Sequence, residues 1–151
     1  MKLSDNFTLH EATFSRTARK LKIDNTPTDA EIAVLHKAAI GMERVRALLG
    51  FPVSVTSWFR SQALNKVIGS NPSSQHTKGE AIDFNCFRFG SPLEICKKIE
   101  EHADLIRFDQ LILEDGWVHI SFAVVSRKEP RKQVLTITPN GKTYPGLVHY
   151  K

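Results

Sequence analysis

The sequence is poor in cysteine and contains no long hydrophobic run. Its two cysteines, Cys86 and Cys96, form neither a CxxC pair nor a disulfide framework, and this indicates synthesis in a reducing compartment. No stretch reaches the roughly 18 apolar residues that a membrane-spanning helix requires. The N-terminal segment MKLSDNFTLHEATFSR lacks the apolar region of a secretory signal. We therefore expect cytoplasmic synthesis without a signal peptide, and no membrane span.

The sequence also lacks internal repeats and low-complexity linkers. Its 151 residues suit one compact unit. Hydrophobic residues make up 41% and charged residues 25%, so the chain can form a core and extended disorder is excluded. We expect residues 1–151 to form a single domain.

The chain is basic, with a formal net charge of +5 and a pI of about 9.4. This balance favours acidic partners without choosing among nucleic acid, anionic membranes and wall polymers. The densest basic cluster surrounds Pro130 and is best interpreted as a solvated surface loop; it comprises Arg127, Lys128, Arg131 and Lys132. No recognition helix, zinc finger or aromatic-interleaved basic motif is present, so we expect no nucleic-acid partner.

The local patterns predict helices early in the chain and strands late. Capping boxes begin at Thr8, Thr28 and Ser91, and each predicts the start of a helix. The second helix has an apolar stripe formed by Ile32, Leu35, Ala39, Met42, Val45 and Leu49. A short helix is expected over 62–67, and strands over 53–57, 81–85, 110–114, 117–124 and 133–138. A turn is expected at Asn140-Gly141. This order predicts an α+β fold, with helices packed on an antiparallel sheet.

Among the six histidines, His76 stands out because of the residues that follow it. After Gly79 comes the predicted strand 81–85, in which Ile82 and Phe84 share one face and Asp83 lies on the other. With the apolar pair in the core, Asp83 would face a cleft. Gly79 would let the backbone turn so that His76 approaches Asp83.

His119 lies in a second alternating segment. Val118, Ile120 and Phe122 form the apolar face of this segment, and His119 projects from the other face. Two histidines and one carboxylate would leave a fourth tetrahedral position open, which is typical of a catalytic zinc site. The residues therefore predict Zn2+ bound by His76, Asp83 and His119.

Such a site also needs a general base and a group that binds substrate. Glu114 precedes a predicted turn before His119, and a hairpin there would bring it beside the metal. Asp115 is the alternative base, and both acids could instead be ordinary turn residues. The guanidinium of Arg60 suits a carboxylate substrate. By spacing alone, however, a surface salt bridge is the better interpretation of Arg60.

These residues resemble a known family. The string Ser74-x-His76-x-x-Gly79-x-Ala81-x-Asp83, followed by Trp117-x-His119, is similar to the zinc D-Ala-D-Ala peptidases of family M15. That family includes wall carboxypeptidases, dipeptidases and phage endolysins, and hedgehog signalling domains share its fold and metal site. The segment 56–65 resembles the family's substrate-binding "S-G-Y-R-S" segment, with Trp58 in place of the usual glycine. Segments 108–114 and 144–147 look like the small phage-associated branch.

The resemblance implies roles for individual residues. His76, Asp83 and His119 would bind zinc, and Arg60 and Ser74 would bind polar groups of the peptide. Many members carry the catalytic acid three residues before the last histidine, and this chain has Gly116 there. In other branches the acid lies further upstream, a variant that Glu114 fits approximately.

The leading functional hypothesis is hydrolysis of a peptide bond in the peptidoglycan stem, by a D-Ala-D-Ala carboxypeptidase or an endolysin-type endopeptidase. The protein would be a monomer that reaches the wall after holin-dependent release or as part of a virion. One alternative is a zinc-binding module of the same fold without turnover. The other is a basic nucleic-acid-binding protein, which is motivated only by the pI.

Overall fold

The computed structural model describes residues 1–148 and has an α+β architecture. The helices are α1 (Leu9–Thr13), α2 (Arg16–Leu21), α3 (Asp29–Leu49), α4 (Gln62–Ile68), α5 (Pro92–Glu101) and α6 (Ala103–Ile106). The strands are β1 (Ser54–Ser57), β2 (Ala81–Asn85), β3 (Gln110–Leu113), β4 (Val118–Ser121), β5 (Gln133–Ile137) and β6 (Thr143–Pro145). The predicted fold class is confirmed.

All six strands form one sheet, in the order β1-β2-β4-β3-β5-β6. Neighbouring strands are antiparallel except β3 and β5, which are parallel, so the sheet is mixed rather than wholly antiparallel. The parallel pair arises because the segment 122–132 joins the end of β4 to the start of β5. It passes the start of β3, at the same end of the strands. The sequence predicted β3, β4 and β5 but contains no local signal for this connection.

The hydrophobic core lies between one face of the sheet and the helices α3, α5 and α6. Ile82 and Phe84 of β2 and Val118 and Ile120 of β4 are fully buried in it, as the alternation predicted. The stripe of α3 is buried from Leu35 to Leu49, and only its first member is partly exposed. The opposite face of the sheet is therefore free to carry polar residues.

Side-chain caps fix where the principal helices begin. The three predicted capping boxes are present at the starts of α1, α3 and α5. In each, the cap side chain accepts a hydrogen bond from the backbone N–H of the N3 glutamate, and the glutamate carboxylate accepts one from the cap backbone N–H. The helices α2 and α6, the strand β6 and a 3-10 turn at Gln75–Lys78 were not predicted. No helix within residues 1–148 has the length and apolar character needed to cross a membrane.

Candidate metal centre and active-site cleft

Asp83 and His119 are brought together by strand pairing. In the register of β2 with β4, Asp83 is directly opposite His119, and in that of β4 with β3, His119 is opposite Ile112. Residues opposite each other in adjacent strands project from the same face. Nδ1 of His119 lies 2.9 Å from Oδ1 of Asp83. Both side chains therefore project from the face opposite the core.

His76 reaches the same point from the 3-10 turn rather than from a strand. The Ser74 hydroxyl caps this turn by accepting a hydrogen bond from the backbone N–H of His76. Gly79 ends the turn with φ at +82°, which fits the prediction that this glycine lets the backbone turn so that His76 approaches Asp83. The His76 ring is held at Nδ1, 2.6 Å from the backbone carbonyl of Trp58. That contact directs Nε2 toward Asp83, 3.3 Å from Oδ2.

His76, Asp83 and His119 thus form one cluster, each with a ligand atom within 4.8 Å of the others. Burial lowers the pKa of His76 although the charge of Asp83 acts in the opposite direction, and this favours a neutral imidazole. Burial alone would raise the pKa of Asp83, but His76 and His119 hold it well below its usual range. Neutral imidazoles and an ionised carboxylate are the forms in which these groups bind a metal. The cluster could hold a metal ion.

The cluster lies in a cleft of about 660 Å³. Glu114 lines this cleft and is half-buried, whereas Asp115 is exposed and does not line it. Burial raises the pKa of Glu114, and the negative charge of Asp83 raises it further. Of the two acids considered as a base, Glu114 is therefore the one that the fold places beside the cluster.

Arg60 and Ser74 also line the cleft. A terminal nitrogen of Arg60 lies 3.7 Å from Oδ2 of Asp83, and its Nε donates to the Ser57 hydroxyl at 3.3 Å. Arg60 is thus a cleft residue rather than a participant in a surface salt bridge. Ser74 also stabilises the local structure, since its hydroxyl caps the turn that carries His76.

The cleft also contains polar residues that were not predicted to lie in it. Gln75 donates through Nε2 to two buried carboxylates, Glu80 at 3.2 Å and Asp109 at 3.0 Å. Arg127 and Arg131 line the cleft and pair with Asp109. Both arginines are exposed on a loop, as predicted, and this loop also forms one wall of the cleft. No local sequence pattern predicts that these arginines pair with Asp109, because Asp109 lies in a different part of the chain.

Trp117 is a further residue of the cleft. Its indole Nε1 is buried and makes no hydrogen bond of normal geometry within residues 1–148, although it faces the Glu114 carboxylate and lowers the pKa of that group. An indole N–H is a donor only, so this group could bind an oxygen of a ligand in the cleft.

A comparison with protein families gives a match that agrees with this geometry. The model of the Peptidase M15 family matches residues 5–121, which is more than half of the chain and includes all three residues of the cluster. The chain belongs to the peptidase M15 family. Membership indicates a metallopeptidase that acts on peptidoglycan-type substrates, in agreement with a His-Asp-His cluster able to bind a metal. Among curated proteins, no match to the chain was found.

Proposed function

We propose that this protein is a zinc-dependent peptidase that cleaves a peptide bond of the peptidoglycan stem. The observation that carries the proposal is the convergence of His76, Asp83 and His119 in a cleft that Glu114 also lines. Two imidazole nitrogens and one carboxylate oxygen are a donor set that suits zinc and leaves a fourth position open. Bound zinc would supply Lewis acidity and lower the pKa of water to about 7.

The remaining chemistry would fall to the side chains of the cleft. Glu114 would act as the general base that takes a proton from the attacking water and then passes it to the leaving amine. Its raised pKa supports this role, because a base that titrates nearer to neutral pH can also return the proton. Arg60 would bind a carboxylate of the substrate, and Ser74 would bind a polar group of the peptide.

The scissile bond depends on which carboxylate Arg60 binds. A D-Ala-D-Ala carboxypeptidase would place the terminal carboxylate of the stem against Arg60, beside the metal. An endolysin-type endopeptidase would place an internal carboxylate there and cleave within the stem. Either activity would be exerted at the cell wall.

The test is digestion of purified peptidoglycan by the zinc-loaded protein, with mass spectrometry of the released fragments. We expect defined peptides or free D-alanine, whose masses identify the bond that is cleaved. Glu114→Gln should lower the rate by roughly 10²- to 10⁴-fold, the usual contribution of a general base. Asp115→Asn is the matched control and should keep the wild-type rate, since Asp115 is exposed outside the cleft.

A zinc-binding module without turnover is the second candidate. Gly116, with φ at +95°, occupies the position where many members of the family carry their catalytic acid. This candidate predicts that the protein binds one zinc ion and releases no fragment, and that Glu114→Gln changes nothing. Release of fragments by wild type but not by Glu114→Gln would exclude it.

A further inference from the structure

One wall of the cleft is formed by the segment 122–132, which follows strand β4. Arg127 and Arg131 of this segment line the same cleft as the metal cluster, and the side chain of each is 36% exposed. The family match ends at residue 121, so both arginines lie outside it. Their chemistry is therefore additional to that of the matched region.

The segment is held in place by Glu80, whose side chain is fully buried. One oxygen of Glu80 accepts hydrogen bonds from three successive backbone N–H groups, those of Val124, Val125 and Ser126, at 2.7–3.0 Å. The other oxygen accepts from the Ser126 hydroxyl. Three aligned N–H donors fix the path of the backbone immediately before Arg127.

Asp109, which is also fully buried, holds the far end of the segment. Arg131 donates to it from its backbone N–H and from two guanidinium nitrogens at 2.7–3.0 Å. Arg127 approaches the same carboxylate only through Nε, at 3.3 Å. One carboxylate thus faces two guanidinium groups, and the terminal nitrogens of Arg127 have no acceptor within residues 1–148.

The side chains that line the cleft carry more positive than negative charge, an excess that the buried carboxylates of Glu80 and Asp109 offset from beneath. The basic residues of the lining are Arg60, Lys78, Arg127 and Arg131, whereas its acids are Asp83 and Glu114. A bound divalent metal would increase the excess. A ligand in the cleft meets the exposed basic side chains and not the buried carboxylates, and a planar guanidinium with two free nitrogens suits a carboxylate.

We propose that Arg127 is a specificity-determining residue that binds a second carboxylate of an acidic peptide, apart from the group bound at Arg60. This inference rests on the proposed function, since it assumes that a peptide occupies the cleft. The ligand would be a peptide whose acidic side group lies away from the scissile bond, such as the free α-carboxylate of a γ-linked glutamate. Amidation of that group would remove the charge that Arg127 recognises.

The test measures binding rather than cleavage. Two synthetic stem peptides that differ only in a free or an amidated glutamate α-carboxylate are titrated by calorimetry into zinc-loaded protein carrying Glu114→Gln. We expect the free acid to bind at least about tenfold more tightly, because only the free carboxylate accepts charge-assisted hydrogen bonds from Arg127. Adding Arg127→Gln should abolish this preference while leaving the affinity for the amidated peptide within about threefold.

Lys128→Gln is the matched control, since it removes the same charge from the neighbouring residue, which does not line the cleft. It should keep the preference. The proposal would be overturned if the protein that retains Arg127 bound both peptides with equal affinity. It would also be overturned if Lys128→Gln and Arg127→Gln reduced the preference for the free acid equally. Thermal unfolding of each variant checks that it is folded. We expect Arg127→Gln to fold, because Arg131 still pairs with Asp109 when Arg127 is replaced. If Glu114→Gln prefers the free acid while the zinc-loaded wild type releases no fragment from peptidoglycan, the role of Arg127 is supported and the peptidase is refuted.

Discussion

His119 and Asp83 lie directly opposite each other in neighbouring strands, with Nδ1 of the histidine 2.9 Å from Oδ1 of the aspartate. The strands β2 and β4 both lie in the interior of the sheet, and their other faces are packed in the core. The distance between these two groups is therefore set by backbone hydrogen bonding and not by flexible loops. A metal would meet two ligands that are already in position.

Replacement of Asp83 by asparagine should lower zinc affinity at least about 100-fold. The substitution keeps the shape of the side chain but removes the charge, and even outer-shell partners of a ligand contribute about 10- to 100-fold to affinity. Competition with a chromophoric chelator measures the change. Asp24→Asn, which removes an exposed acid outside the cleft, should bind zinc like the wild type. Equal affinities for the two variants would exclude Asp83 as a ligand.

Gly79→Ala should destabilise the fold more than Gly69→Ala does. Both glycines end a helical turn with positive φ, +82° and +84°, so alanine at either costs about 1–2 kcal/mol in backbone strain. At Gly79 an added Cβ would also lie 2.9 Å from Leu35 in the core, whereas at Gly69 it would contact nothing. We expect an extra cost of about 1–3 kcal/mol at Gly79. Urea unfolding of the two variants measures the difference, and equal losses would contradict the packing argument.

The stability of the protein should fall at acidic pH because of Glu80. Burial would raise the pKa of Glu80, but hydrogen bonds from the Ser126 side chain and from backbone N–H groups lower it below its ordinary value of 4.5. A carboxyl whose pKa is lowered by folding stabilises the folded state above its unfolded pKa, and this contribution is lost as pH falls through the folded pKa. The loss should therefore begin as the pH falls below about 4.5.

Glu80→Gln tests this expectation. The variant should be less stable than wild type by about 1–3 kcal/mol at pH 7, since the amide replaces charge-assisted hydrogen bonds with weaker ones. The difference should narrow when denaturant unfolding is repeated at pH 3.5. A difference that stays constant with pH would show that the charge of Glu80 is not responsible.

Trp58→Phe should weaken the fold while leaving the metal site nearly intact. The indole of Trp58 is buried against Phe7 and donates to the carbonyl of Gly79 at 2.9 Å. Loss of this bond and of part of the ring should cost about 1–3 kcal/mol of unfolding free energy. Zinc affinity should change by less than about tenfold, because His76 is held by the main-chain carbonyl of residue 58. A drop as large as that expected of Asp83→Asn would contradict this division of roles.

Much of the site could be predicted because its information is local. The alternation around Asp83 and His119 showed which side of each strand faces the core, and Gly79 marked the turn that lets His76 approach. Capping boxes at Thr8, Thr28 and Ser91 located three helix starts for the same reason, since each depends on residues only three positions apart.

The rest depends on contacts between distant parts of the chain. The parallel pairing of β3 with β5 and the burial of Asp109 beneath Arg131 are set by how the strands are ordered, which no short pattern encodes. A basic surface loop that lines a cleft and one that does not have the same composition. Only the buried carboxylates beneath the loop distinguish them, and these lie far from it in sequence.

The hydrogen bond that orients His76 is accepted by a main-chain oxygen, which every amino acid at position 58 would supply. The metal centre is therefore insulated from substitution at that position, and the side chain there is free to diverge as long as the core accommodates it. Sequence drift at position 58 should accordingly track the packing of the core rather than the chemistry of the cleft.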